Sequence, residues 1–374
     1  MSELLEEGTL ELHENGASFL RSAKRNYAAH ATDPFVSNDL IRRFGLRGGE
    51  TLVGPKQRRN GRNRNDRSSF ALAEIQTING SPPNAYVELR SFDKLTVVDP
   101  KERLQFETPA GPLPMRVVDL MTPIGKGQRG LIAAPPRTGK TVLLQQMAAG
   151  IAANHPDLYM MVLLIDERPE EVTEMRRTVH GEVVASSNDE DAASHIRIAR
   201  LMIQKAKRMV ESGQHVLILL DSLTRLGRAF NTGTRSSGRT MSGGLDIGAL
   251  NEPKAIFGAA RNIENGGSLT ILASALIETG SRMDEVIFNE FKGTGNMEIM
   301  LTRELANLRI WPTMDLNQSG TRKEELLLGQ ESVEKIYRIR RQIAGMSVTR
   351  AMETLLSELS KHPSNEAYLN SIAR

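Results

Sequence analysis

The segment Ala134-Pro135-Pro136-Arg137-Thr138-Gly139-Lys140-Thr141 constrains this chain more than any other, because it joins an apolar run, Gly130–Ala134, to a stretch of helical period, Lys140–Ala153. A turn between a strand and a helix aims backbone N–H groups at one point, and the helix dipole there favours an anion. The residue types suit phosphate. Pro136, Arg137 and Thr138 form the loop, and Gly139 permits close approach of the backbone. The Lys140 ammonium reaches the β- and γ-phosphates, and the Thr141 hydroxyl completes a magnesium shell. Ala134 stands where the strict motif has glycine, a small-for-small exchange. The segment therefore reads as the phosphate loop of a nucleoside triphosphatase.

The surrounding pattern predicts the fold class that such a loop needs. Apolar runs at Tyr159–Asp166, His215–Asp221 and Ser268–Ala275 alternate with helical stretches such as Arg197–Ser212. Continuous apolar strands separated by helices imply an α/β domain with a parallel sheet covered on both faces. Two of these strands end in carboxylates. Asp221 is placed to support the metal, and Glu167 is the natural residue to orient and deprotonate an attacking water. Glu170 and Glu171 follow so closely that they compete with Glu167 for the role. Phosphoryl transfer also gains from a cation on the developing charge, and Arg322 and Arg309 are both candidates.

Ahead of this domain, short β-type runs (Thr9–Leu12, Ser18–Leu20, Phe70–Ile78, Tyr86–Leu89) separated by turn signals read as a small barrel, with one short helix, Asn38–Phe44, capped by Ser37. Three prolines and a glycine between Glu107 and Pro114 suggest a linker, giving a barrel domain over 1–107, a linker over 108–114 and an ATPase domain over 115–374 with C-terminal helices. The absence of cysteine excludes disulfides and thiolate metal sites, and the seven histidines form no spaced pair. No apolar run is long enough to span a membrane and the first residues are acidic, so a cytoplasmic protein is expected. Net charge is only +3, but Lys56, Arg58, Arg59, Arg62, Arg64 and Arg67 concentrate positive charge against a single acid, Asp66. That cluster either contacts nucleic-acid phosphates or is a solvated loop.

Gly127–Ile132, Ala134–Thr141, Leu163–Met175, Phe257–Asn296 and Ser319–Leu326 together resemble the bacterial transcription termination factors of the Rho family, and the similarity runs from about Glu7 to the end of the chain. The resemblance implies a RecA-like P-loop domain behind an N-terminal OB-fold, cold-shock-like barrel, without the small helical subdomain that many members carry ahead of it. It also implies a homohexameric helicase ring that uses ATP and Mg2+ to draw single-stranded RNA 5′→3′ and dissociate the RNA polymerase elongation complex. By similarity, Lys140 and Thr141 bind phosphate and magnesium, Asp221 supports the metal and Glu167 activates water. Arg322 would be the finger reaching a neighbour's site, Arg168 would lie near the phosphates, and Trp311 would face the adenine opposite Val142. A core or interface role for Trp311 stays open.

RNA contacts are expected in two central loops, at Arg239, Thr240 and Ser242 within 236–244, and at Arg282 within 280–284, where a lysine is usual. On the barrel, the family's aromatic signature keeps Phe19, followed by Arg21, but has Ala17 and Ser69 where stacking rings are expected. The loss should weaken sequence preference, with Lys56, Arg58, Arg59 and their neighbours compensating through phosphate contacts. Two other readings remain: a rotary ATP synthase-type subunit, and a non-catalytic RNA-binding regulator switched by nucleotide.

Overall fold

The computed structural model describes residues 5–13, 16–59, 69–233 and 238–372, so the expectations placed on Arg62, Arg64, Arg67, Ser236 and Ser237 lie outside the described residues. Two compact units are present. The first contains residues 1–96 together with 197–214 and 263–267, and the second contains the rest.

In the first unit, strands Leu5–Leu12, Ser18–Arg21, Thr51–Arg58 and Phe70–Leu72 form an antiparallel sheet, with Thr77–Ile78 paired on Thr51–Arg58. Alternation puts Leu10, Leu20, Leu52, Leu72 and Ile78 into one apolar core, closed by Phe44 and Tyr86. Helix Asn38–Phe44 starts at Ser37, whose hydroxyl accepts from the Leu40 N–H, and stops at Gly45 in the left-handed conformation (φ 61°). The expected strand Tyr86–Leu89 is not formed. Pro83 opens a helix, Pro83–Val87, because its fixed φ suits the first turn of a helix, and Tyr86 turns into the core. The run Phe70–Ile78 likewise divides into two short strands. The long helical segment from Arg197 belongs with this unit: Lys205 Nζ donates to the Tyr27 hydroxyl (2.9 Å), Asn79 Nδ2 donates to the Arg208 carbonyl (3.2 Å), and Arg47 pairs with Glu211 (2.5 Å).

The second unit is built on a sheet in the order Glu182–Ser187, Tyr159–Glu167, His215–Asp221, Ser268–Leu276, Arg129–Ala134, Met297–Met300, Gly320–Thr321. These strands are parallel except for the last pair, and a short strand, Arg261–Ile263, adds antiparallel to Ser268–Leu276. The central strands are buried along nearly their whole length, as a sheet covered on both faces requires. One core cluster joins them to helices Leu113–Met121, Lys140–Asn154, Gln330–Ile343 and Val348–Ser360. The stretch 108–114, expected to be a linker, lies inside this unit. The Phe106 and Glu107 N–H groups donate to the buried Asp119 carboxylate, at 3.0 and 2.7 Å, and bind the segment to helix Leu113–Met121.

Candidate nucleotide and RNA sites

Strand Arg129–Ala134 ends at the phosphate loop, and helix Lys140–Asn154 begins at its far side. The loop is pinned from within and from outside: Thr138 Oγ1 donates to the Pro135 carbonyl (2.7 Å), and the Thr138 carbonyl accepts from Thr313 Oγ1 (2.6 Å). Arg137 and Gly139 both have left-handed backbones (φ 67° and 79°), and a Cβ on Gly139 would run into the Trp311 ring. No side chain caps the helix start, which leaves its N–H groups available to an anion.

Three charged groups meet behind the loop. The Lys140 ammonium, about 13% exposed, bonds to Asp221 and lies 3.3 Å from Glu167 Oε1. Ser274 Oγ donates to Asp221 at 2.6 Å and Arg225 lies 3.4 Å from Glu167 Oε2. That Oε2 atom is buried and has no hydrogen-bond partner. Burial first, and the Asp221 charge second, push the Glu167 pKa up, against the pull of Lys140 and Arg225. For Lys140, burial alone would lower the pKa, but Asp221 and Glu167 outweigh it and the net shift is upward. Glu167 thus faces Lys140 with Oε1, while Oε2 accepts no hydrogen bond and has only the Arg225 ion pair beside it. Of its sequence competitors, Glu170 is exposed and Glu171 is half-buried, 3.5 Å from Thr141 Oγ1. The donor set suits ATP with magnesium, which needs one or two carboxylates and a hydroxyl rather than a protein cage. No group of three or more acidic or histidine ligands exists among the described residues.

Beside the loop a cavity of about 360 Å³ is lined by Thr138, Gly139, Val142, Leu143, Trp311 and Thr313, among others. Trp311 and Val142, expected on opposite sides of the base, both border it. Arg168 is exposed at the start of helix Pro169–Thr178. Arg322 follows the strand Gly320–Thr321, and its N–H donates to Asn296 at 2.9 Å. Thr321 pairs with Met297, and Met297 with Gly130, at the opposite end of strand Arg129–Ala134 from the phosphate loop. The steps from Arg129 to Ala134 span roughly 17 Å, at about 3.3 Å each, so Arg322 does not reach its own Lys140. Arg309 is exposed two residues before Trp311 in the chain and is not among the residues lining that cavity.

The two loops expected to hold RNA meet each other. Gly243 packs so closely on the start of helix Arg282–Phe291 that a Cβ would lie 2.7 Å from the Met283 nitrogen. Arg239, Thr240, Ser242 and Arg282 are all exposed. The helix start is fixed by Asp284, which accepts from Arg228 at 2.5 and 2.8 Å and from Thr279 Oγ1 at 2.7 Å.

On the barrel, Phe19 meets Phe35 edge to face with ring centroids 5.9 Å apart. Arg59 lies 4.5 Å over Phe35, and Lys56 lies 4.8 Å over Phe70 while pairing with Glu6. Arg58 is exposed on the same strand. Arg21, expected to contact RNA, is instead buried. Its guanidinium binds Glu11 (2.5 Å) and Asp33 (2.8 Å) and backs the Phe19 ring at 5.0 Å, because a buried guanidinium must be paired.

Comparison with known proteins places both halves. The nucleotide-binding domain of the ATP synthase alpha/beta family matches residues 114–321, and the RNA-binding domain of the Rho termination factor matches residues 6–84. Transcription termination factor Rho of Cereibacter sphaeroides is 52% identical over 98% of this chain and 86% of its own length, and that of Escherichia coli K12 is 50% identical over 98% and 88%. The chain belongs to the Rho family of transcription termination factors. A solved ATPase from the type III secretion system of pathogenic bacteria shares the fold, with a TM-score of 0.58 and 24% identity over 68% of this chain and 74% of its own.

As a Rho-family ATPase, the chain places beside the candidate sites further residues that the sequence does not single out. Phe35 and Phe70 share the barrel's aromatic surface with Phe19, so that surface has more rings than the substitutions at Ala17 and Ser69 suggested. Phe35 stands alone between Pro34 and Val36, with no motif to single it out. Arg225 and Ser274 hold Glu167 and Asp221 from the helix and strand next to them, and only the sheet order brings them there.

Proposed function

We propose that this chain is one subunit of a homohexameric, RNA-stimulated ATPase that draws single-stranded RNA through its ring in the 5′→3′ direction and dislodges the RNA polymerase elongation complex. The observation that carries the reading is the meeting of Lys140, Asp221 and Glu167, whose buried Oε2 accepts no hydrogen bond, at the end of the phosphate loop. In this reading Lys140 steadies the β- and γ-phosphates of ATP, Glu167 orients a water and takes its proton, and Trp311 and Val142 hold the base. Thr141 and Asp221 would hold Mg2+, which when bound neutralises charge on the phosphate oxygens.

Arg322 lies at the opposite end of strand Arg129–Ala134 from its own phosphate loop, which favours a role on the neighbouring subunit's nucleotide. The joined loops bearing Arg239, Thr240, Ser242 and Arg282 would grip phosphates in the ring. Phe19, Phe35, Phe70, Lys56, Arg58 and Arg59 would load RNA on the barrel. Arg168 would lie near the phosphates. A rotary subunit would share the nucleotide domain but not the RNA-binding domain at residues 6–84.

The test is ATP turnover with and without poly-cytidine, in the wild type and in Glu167→Gln. Strong stimulation by the polymer, and a loss of about 10²–10⁴-fold in kcat for the variant, are expected. Turnover indifferent to RNA would reject the reading.

A further inference from the structure

We propose that Asp166 is a positioning residue whose left-handed backbone, rather than its carboxylate, turns Glu167 onto the nucleotide face of the sheet. The inference rests on the role given to Glu167 above. Successive residues of a strand point to opposite faces, and residues paired across strands point to the same face. Leu164 pairs with Asp221 on one side and with Ala185 on the other, so these three side chains share a face. Ile165 pairs with Ser186 and points the other way.

In an unbroken strand the next position, opposite Ser187, would go to Asp166. Glu167 would then fall on the face away from Asp221. The observed register skips Asp166 and pairs Glu167 with Ser187. One extra residue has been inserted at a bulge, and Glu167 takes the face it would otherwise miss. Lys140 touching both Asp221 and Glu167 is the direct consequence.

Asp166 absorbs the insertion at φ 56°, in the left-handed region that asparagine, aspartate and glycine accept and other residues resist. Beyond the bulge the strand is caught again: the Asn188 N–H donates to the Glu167 carbonyl at 3.1 Å, and Pro169 opens the next helix. The Asp166 carboxylate itself makes no hydrogen bond or ion pair with the described residues.

The experiment compares Asp166→Gly, Asp166→Asn, Asp166→Ala and Asp166→Val with the wild type and Glu167→Gln in the full chain, at saturating ATP and poly-cytidine. Glycine and asparagine should keep kcat within about threefold. Alanine should lose about tenfold and valine more, with KM for ATP moved by less than about threefold throughout, because the left-handed cost falls on the population with Glu167 correctly aimed. If valine prevents folding, alanine against glycine decides. Equal turnover in alanine and glycine overturns the proposal, as does a loss in glycine and asparagine as large as in alanine, which would assign the role to the carboxylate. Loss in Glu167→Gln with every Asp166 variant active refutes the bulge alone. An active Glu167→Gln removes the base, and this proposal falls with it.

Discussion

Replacing Gly139 by alanine tests the nucleotide cradle most sharply, since two separate costs meet at one atom. The φ of 79° is left-handed, which costs an L-residue about 1–2 kcal/mol. The new Cβ would also run into the Trp311 ring, and overpacking of this kind costs about 1–3 kcal/mol. The loop escapes both costs by leaving the phosphate-binding conformation, so they are charged against nucleotide affinity, at about 2–5 kcal/mol together. Even the lower figure weakens binding about 30-fold.

Trp311→Ala alone gives up a ring contact worth about 1 kcal/mol. In the double variant the crowding disappears but the left-handed strain stays, so the two losses should fall short of additivity by about 1–3 kcal/mol. Equilibrium titration with a fluorescent ADP analogue measures all four corners of the cycle, with a thermal melt to confirm folding. Binding by Gly139→Ala within threefold of the wild type, or strictly additive losses, would refute the reasoning.

Burial raises the Asp119 pKa from 3.8 to about 6. The folded chain therefore holds a proton that the unfolded chain has released between those values, and stability falls as pH rises from about 4 through about 6, by about 3 kcal/mol. Urea melts across this range should show the wild-type advantage over Asp119→Asn shrinking by that amount, and a difference independent of pH would contradict it. Mixing inactive Arg322→Ala subunits with inactive Glu167→Gln subunits should restore part of the ATPase activity, because some seams then join an intact glutamate to an intact arginine; no recovery would place the arginine in its own subunit's site. Neutralising Lys56 and Arg59 should flatten the log–log salt dependence of RNA binding by a slope of about 1 to 2, and an unchanged slope would remove them from the phosphate contacts.

Elements are legible in the sequence where local signals and burial agree. The strand His215–Asp221 and the helix Asn38–Phe44 with its Ser37 cap occupy the residues their patterns predict. Elements are hidden where a single residue reverses the local pattern. Tyr86–Leu89 has the composition of a strand, but Pro83 starts a helix three residues earlier. Asp166 looks like one more acid in an acidic run, and only pairing with Glu182–Ser187, a strand without a strong apolar run of its own, exposes the extra residue. Arg21 follows Phe19 as a cation follows a ring in a nucleic-acid site, yet the acids that bury it are 10 and 12 residues away. Membership of residues 197–214 in the first unit depends on contacts from positions more than a hundred residues distant, which no window on the chain can contain.

The seating of Gly243 on the backbone of Met283 has a mechanical corollary. Two stretches of chain some forty residues apart in sequence are clasped main chain to main chain, with no side chain between them to act as a cushion. A tilt of the helix beginning at Arg282 toward residues 242–244 would meet main chain at once, so such a movement would be passed to them without slack.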